Sequence, residues 1–214
     1  MGLFQRRPQV SDPISMYYTV GLNRTVLIVG LGNPGKEYDG TRHNVGFACL
    51  DDFVKRQDEL GEWVEKKQFK CLLASGQIGQ TKVICIKPTT FMNLSGEAVQ
   101  AVMAFYKLSS EAVIVVHDEL DIPFGQIRTR VGGSSAGHNG IKSVTQHLGE
   151  EYGRVRIGIG PKKPAQIDSA EFVLQKFSDK EQKEIPGLTR EVSAILSEYA
   201  YGGNLAAETR SFLI

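Results

Sequence analysis

Short β-branched apolar runs alternate along this chain with stretches whose apolar positions recur every three to four residues, the pattern of strands interleaved with amphipathic helices. Val26-Leu27-Ile28-Val29 is the first such run. It stops at Gly30, and its unbroken apolar character predicts a strand buried on both faces. Val45, Phe47, Ala48, Leu50, Phe53 and Val54 then form a helical stripe ending near Arg56, with Thr41 or Asn44 available as its cap. Residues 70–74 and 82–86 flank Gly76, Gly79 and Gln80 and read as a hairpin. Ser95 is expected to cap a helix that buries Ala98, Val99, Val102, Met103 and Tyr106.

Val113-Ile114-Val115-Val116 is the most strand-like run and delivers His117-Asp118-Glu119-Leu120-Asp121 to its end. Residues 127–131 and 154–159 alternate strictly, which predicts two strands that each carry their arginines on one face. A glycine-rich segment, residues 132–140, and a helix carrying Lys142 lie between them. From Asp179 a long amphipathic helix runs through Leu188, Val192, Ile195, Leu196 and Tyr199 despite Pro186 and Gly187. It is expected to cover the sheet and to close over part of a cleft. Residues 1–24 keep no period and read as an extended arm that could add an edge strand near residues 16–20. The rest, residues 25–214, reads as a single α/β domain. Beyond Gly203 the pattern is uninformative.

Composition narrows the classes. With 214 residues and 41% hydrophobic content, the chain can build one good core. A formal net charge of +1 gives no global pull toward nucleic acid, so a polyanion would need a local patch. The 3 cysteines, Cys49, Cys71 and Cys85, lack metal spacing and sit beside apolar neighbours, as reduced core thiols of a cytoplasmic protein would. No stretch is long and apolar enough to span a bilayer, and residues 1–21 lack the apolar core of a secretory signal.

The chemistry concentrates at strand ends. Gly30-Leu31-Gly32-Asn33-Pro34-Gly35 matches the letters of a dinucleotide-binding fingerprint. That motif needs a helix starting within the glycines, whereas Pro34 and the KEYDGTR segment postpone helical spacing to Val45. The polar residues Asn33, Tyr38, Thr41, Arg42, His43 and Asn44 that follow the strand suit an active-site mouth instead. Asn93 ends another strand, where a plain turn residue is the ordinary reading. His117, Asp118, Glu119 and Asp121 could ligate a metal, but neighbours in an extended segment point to opposite sides. Asp118 orienting a histidine from elsewhere is the better reading. Arg128, Arg130, Arg154, Arg156 and Lys142 around the glycine-rich segment suit a local phosphate-binding surface, whereas without that segment ordinary solvated strand faces would explain the arginines equally well.

Taken in order, GLGNPGKEYDGTRHNVGF, KPTTFMNLSG, HDELDIPFG, GHNGIKS and RVRIGIG resemble the bacterial-type peptidyl-tRNA hydrolases from about Val26 to the late helix. The resemblance implies a mixed twisted sheet flanked by helices and hydrolysis of the ester between peptide and tRNA. It implies no metal or organic cofactor, and a cytoplasmic monomer whose partner is peptidyl-tRNA, held at its acceptor end and 5′ phosphate. His43 resembles the family's catalytic base, Asp118 its orienting carboxylate, and Asn33, Asn93 and Asn139 the polar lining of its cleft. Tyr38 is similar to the tyrosine that meets the tRNA end. Met92 and His138 fall inside the matching substrate-binding motifs. Arg130 and Arg156 lie where the family clamps the 5′ phosphate, with Arg128, Lys142 and Arg154 nearby. Ser134-Ser135-Ala136 replace glycines common in the family, which bears on the mobility of that loop.

A neutral imidazole with an ordinary pKa of about 6.5 can take a proton from water, and the amide of Asn33 or Asn93 can donate to the developing oxyanion. The GTRHN and HDELD segments carry no serine or cysteine, which favours direct attack by water. Some chloroplast intron-splicing proteins resemble the same family yet act as RNA-binding scaffolds. The complete set of Asn33, His43, Asn93 and Asp118 favours an enzyme.

Overall fold

The computed structural model describes residues 24–162 and 166–212, so the arm expected over residues 1–24 lies, but for Arg24, outside the described residues. The elements run β1 (Arg24–Gly30), α1 (Val45–Arg56), β2 (Val64–Lys66), β3 (Cys71–Ile78), β4 (Thr81–Pro88), α2 (Ser95–Tyr106) and β5 (Val113–Pro123). They continue with β6 (Gln126–Val131), α3 (Asn139–Leu148), β7 (Gly153–Gly160), α4 (Ser169–Leu174), α5 (Asp179–Ala200) and β8 (Thr209–Ser211). The strands form one 8-stranded sheet in the order β2-β3-β4-β1-β5-β7-β6-β8. Its centre is parallel, with β1 paired to β4 and β5, and β5 to β7. The margins are antiparallel, from the β3–β4 hairpin on one side to β6 and β8 on the other.

Strand alternation explains the two cores. Val26 and Ile28 face one side of β1 and pack with Cys49, Phe53 and Val192 under α1 and α5. Leu27 and Val29 face the other and pack with Val99, Val102 and Val144 under α2 and α3. Burial on both faces, at about 1.5–3 kcal/mol for each large aliphatic side chain, is why β1 reads as continuously apolar.

The expected helix caps are built differently. Single 3-10 turns, Arg42–Asn44 and Met92–Leu94, lead into α1 and α2, and their bonds already engage the first helical N–H groups. Asn44 therefore does not cap α1 with its side chain, nor Ser95 α2. Thr41 Oγ1 donates to the Tyr38 carbonyl and Ser95 Oγ to the Met92 carbonyl. β5 also runs further than its apolar run suggested, through the HDELD segment to Pro123, because Ile122 turns back into the interior. Of the tail after Gly203, Thr209–Ser211 forms β8, which covers the edge of β6. α5 forms as expected but packs on α1 and the adjoining core, away from the cleft.

One close approach sets the stage for the site. A Cβ on Gly46 would lie 2.5 Å from the Val116 carbonyl oxygen and 2.6 Å from that of Leu31. Only glycine lets the start of α1 sit against the end of β1 and Val116 of β5, which brings His43 over β5. Gly46→Ala should destabilise the protein by about 1–3 kcal/mol through overpacking, read as a lower denaturant midpoint. An unchanged midpoint would show that this contact is not tight.

Candidate active site

The carboxyl ends of the parallel strands β4, β1 and β5 open into a cavity of about 620 Å³ lined by Asn33, His43, Met92, Asn93, Asp118, His138 and Asn139. This is where a parallel sheet offers its unpaired strand ends to a ligand. The residues arrive from five separate segments, and five of the seven are positioned by a hydrogen bond to another.

Asn33 leaves β1 in an extended loop rather than a helix. Its backbone N–H donates to Asn44 Oδ1 (2.8 Å) and its carbonyl accepts from Asn44 Nδ2 (2.9 Å). Its own Oδ1 accepts from the Met92 N–H (2.8 Å), which turns the amide nitrogen toward the cavity. Met92 itself is buried in the core, so its contribution here is this N–H.

His43 and Asp118 meet at the centre. His43 Nδ1 lies 2.9 and 3.0 Å from the two carboxylate oxygens of Asp118, so its ring proton sits on Nδ1 and Nε2 keeps a lone pair. Burial alone would lower the pKa of His43. The adjacent carboxylate and its hydrogen bond outweigh that and raise the pKa above the ordinary 6.5. For Asp118, burial would raise the carboxyl, yet the His43 and His138 rings and their hydrogen bonds hold it far below the usual carboxylate range.

His138 has a more inward role than substrate contact. Its Nδ1 accepts from the N–H groups of Gly140 (3.1 Å) and Ile141 (3.3 Å), so the imidazole caps α3. The remaining ring proton is then on Nε2, which donates to Asp118 Oδ1 at 2.9 Å. His43, Asp118 and His138 offer potential metal-ligating atoms within 4.8 Å of one another. Coordination through His138 Nε2 would move its proton onto Nδ1, against two N–H groups, so this trio suits a hydrogen-bond relay better than a metal. The HDELD carboxylates do not converge, since Asp121 is exposed while Asp118 is buried.

At the rim, Asn93 and Asn139 are exposed, at the 3-10 turn before α2 and at the first residue of α3. Tyr38 stands outside the cavity lining, its ring edge-on to Phe91 at 6.4 Å, and Phe91 lines the cavity. The wall opposite comes from α4 and its N-terminal cap, through Asp168, Val173 and Leu174. That helix escaped the apolar-period reading because it is short, although Asp168 and Glu171 carry a helix-start spacing: Asp168 Oδ1 accepts from the N–H groups of Ala170 and Glu171. Arg42, beside His43, pins this wall, lying over the Phe172 ring at 4.5 Å and pairing with Glu181 at 2.6 Å.

On the far strands the register sets Arg128 opposite Arg156 and Arg130 opposite Arg154 on one face. The Nε atoms of Arg128, Arg130 and Arg156 are buried without a hydrogen-bond partner among the described residues. Burial and the neighbouring Arg130 charge lower the pKa of Arg156. Arg154 departs from the expected surface. It is fully buried and donates to the carbonyls of Gly133 and Ser134, so it is not free to hold a phosphate. Lys142 is exposed on α3 and does not line the cavity.

The peptidyl-tRNA hydrolase family profile matches residues 27–212. The chain belongs to this family. It is 52% identical over 160 residues to the peptidyl-tRNA hydrolase of Caldanaerobacter subterraneus, covering 74% of this chain and 84% of that one. Over 169 residues it is 47% identical to that of a Sulfurovum species, covering 78% and 85%. The crystal structure of the Acinetobacter baumannii peptidyl-tRNA hydrolase superposes with a TM-score of 0.74 at 34% identity, covering 85% of this chain and 91% of that one. The mixed sheet with helices on both faces is therefore the fold of solved peptidyl-tRNA hydrolases, as the motifs implied.

Proposed function

We propose that this protein hydrolyses the ester joining peptide to tRNA in peptidyl-tRNA, freeing the tRNA, with His43 as general base. It would act as a cytoplasmic monomer. The observation that carries the reading is the buried His43–Asp118 pair, which leaves His43 Nε2 as an acceptor at the cavity of a peptidyl-tRNA hydrolase family member.

His43 Nε2 takes a proton from water as the water oxygen bonds to the ester carbonyl carbon. Asp118 holds the tautomer and stabilises the imidazolium, while the carbonyl oxygen gains negative charge within reach of the Asn33 amide N–H. As the tetrahedral intermediate collapses, the carbon–oxygen bond to the ribose breaks, and the imidazolium returns its proton to the ribose oxygen. Asn93 and Asn139 are the rim groups suited to hydrogen-bonding the acceptor end. The direct test is release of an N-blocked amino acid from tRNA by the purified protein, beside the same tRNA carrying an unblocked amino acid. Rapid release of the blocked substrate alone is expected. Tight tRNA binding without release would favour an RNA-binding scaffold.

Arg130 and Arg156 are proposed to grip the tRNA 5′ phosphate, with Arg128 beside them. The unpartnered guanidinium nitrogens and the charge crowding at Arg156 support this, because an anion would relieve both. They are diagonal neighbours on adjacent strands, about 7 Å apart by sheet geometry, which one phosphate can bridge. Arg130→Ala or Arg156→Ala should raise KM for full-length peptidyl-tRNA with a smaller change in kcat, and flatten the salt dependence by about one phosphate contact. A peptide esterified to a short CCA fragment should be hydrolysed almost as by the unaltered protein. Equal losses on both substrates would refute the clamp.

A further inference from the structure

Arg154 and His117 are buried ionisable residues that the proposed reaction does not use. No carboxylate pairs with Arg154 among the described residues, so this buried cation is satisfied by dipoles alone. Its Nη1 donates to the carbonyls of Gly133 (2.9 Å) and Ser134 (2.8 Å), with Gly132 at 3.4 Å. Its Nε and Nη2 reach His117 Nε2 at 3.4 and 3.3 Å. His117 must then carry its proton on Nδ1, which donates to the Asp118 carbonyl at 2.6 Å. The His117 ring also packs edge-on against His138, at 5.0 Å and 80°. One guanidinium thus holds both ends of the loop, its first carbonyls directly and His138 through His117.

The loop needs such a tether. Gly132, Gly133, Ala136 and Gly137 all take left-handed conformations, with φ of 68°, 95°, 46° and 82°, so no regular ladder holds them. A Cβ on Gly133 would fall 1.7 Å from Arg130 Nη2, so the loop is sandwiched between Arg130 outside and Arg154 inside.

We propose that Arg154, through its hydrogen bonds to the 132–134 carbonyls and to His117, is the positioning residue that keeps His138 against Asp118 and so aligns His43. The proposal rests on the hydrolase reading above. A lysine at this position keeps the charge but cannot fork between a carbonyl cluster and an imidazole.

The test is Arg154→Lys in the full chain, followed by kinetics on full-length N-blocked aminoacyl-tRNA and on the CCA-fragment ester, with amide hydrogen exchange over residues 132–139. Expected are a fall in kcat of about tenfold on both substrates, KM within about twofold, and loop exchange faster by about tenfold. Should that variant fail to fold, His117→Phe, which keeps a ring against His138 but removes the acceptor, should show the same pattern more weakly. Lower thermal stability with unaltered kcat and unaltered loop exchange would make Arg154 merely structural and overturn the proposal. A rise in KM confined to full-length tRNA would overturn it as well, making Arg154 part of the clamp. An unaltered protein that releases no blocked amino acid, while Arg154→Lys still loosens the loop, would leave the tether standing and remove the hydrolase reading instead.

Discussion

His43→Ala should reduce kcat by about 10²–10⁴-fold, the range a positioned general base contributes, while leaving tRNA affinity within a few-fold. The imidazole touches Asp118 and the cavity, whereas the proposed phosphate grip belongs to arginines on β6 and β7. Removing the ring takes away the proton acceptor without touching that grip. Asp118 keeps its hydrogen bond from His138, so the buried carboxylate retains a partner, and the stability cost should stay near 1–3 kcal/mol. Single-turnover hydrolysis, filter binding and a melting curve on the same preparation separate these effects. Turnover at the unaltered rate would remove His43 from the mechanism.

Replacing Asp118 with asparagine should lower the plateau rate at least tenfold and shift the acid limb of the pH–rate profile toward lower pH. The sign follows from the forces on His43. Burial lowers its pKa, and only the Asp118 charge and hydrogen bond raise it above 6.5. Without the charge, burial prevails and the pKa falls. A general base works in its neutral form, so activity appears as pH rises through that pKa, and a lower pKa moves the rise to more acid pH. The base is then weaker, and the plateau drops. Asparagine also presents N–H groups where two imidazole N–H groups now donate, which opposes the productive tautomer of His43. A limb that stayed in place would dissociate Asp118 from His43.

Much of the site was legible because its residues sit in short local motifs at strand ends. Asn33, His43, Asn93 and Asp118 lie in polar segments that follow apolar runs, Asn139 lies in the glycine-rich segment, and all line one cavity. What the motifs could not carry is the partner each side chain finds. Asn44 has the chemistry of a helix cap yet bonds the backbone of Asn33, since a 3-10 turn already serves the first N–H groups of α1. α4 was hidden by its length, because six residues, Ser169–Leu174, cannot establish a helical period against the loop around them.

The sequence by itself determined the alternation of strands and helices, the doubly buried β1, the strict faces of β6 and β7, and the family, because each depends on residue order and spacing within one segment. Tertiary structure alone decided which arginine is taken up by internal hydrogen bonds and which is left for the proposed phosphate grip. Arg154 and Arg156 share one strand and one face, and local pattern cannot tell them apart. Carbonyls 20 and 21 residues away turn inward to take the guanidinium of Arg154, while Arg156, among the described residues, meets the like charges of Arg130 and Arg128 and the carboxylate of Glu119. The same holds for His138, whose two roles require Asp118 of β5 and the first N–H groups of α3 to be brought within 2.9 to 3.3 Å of one imidazole.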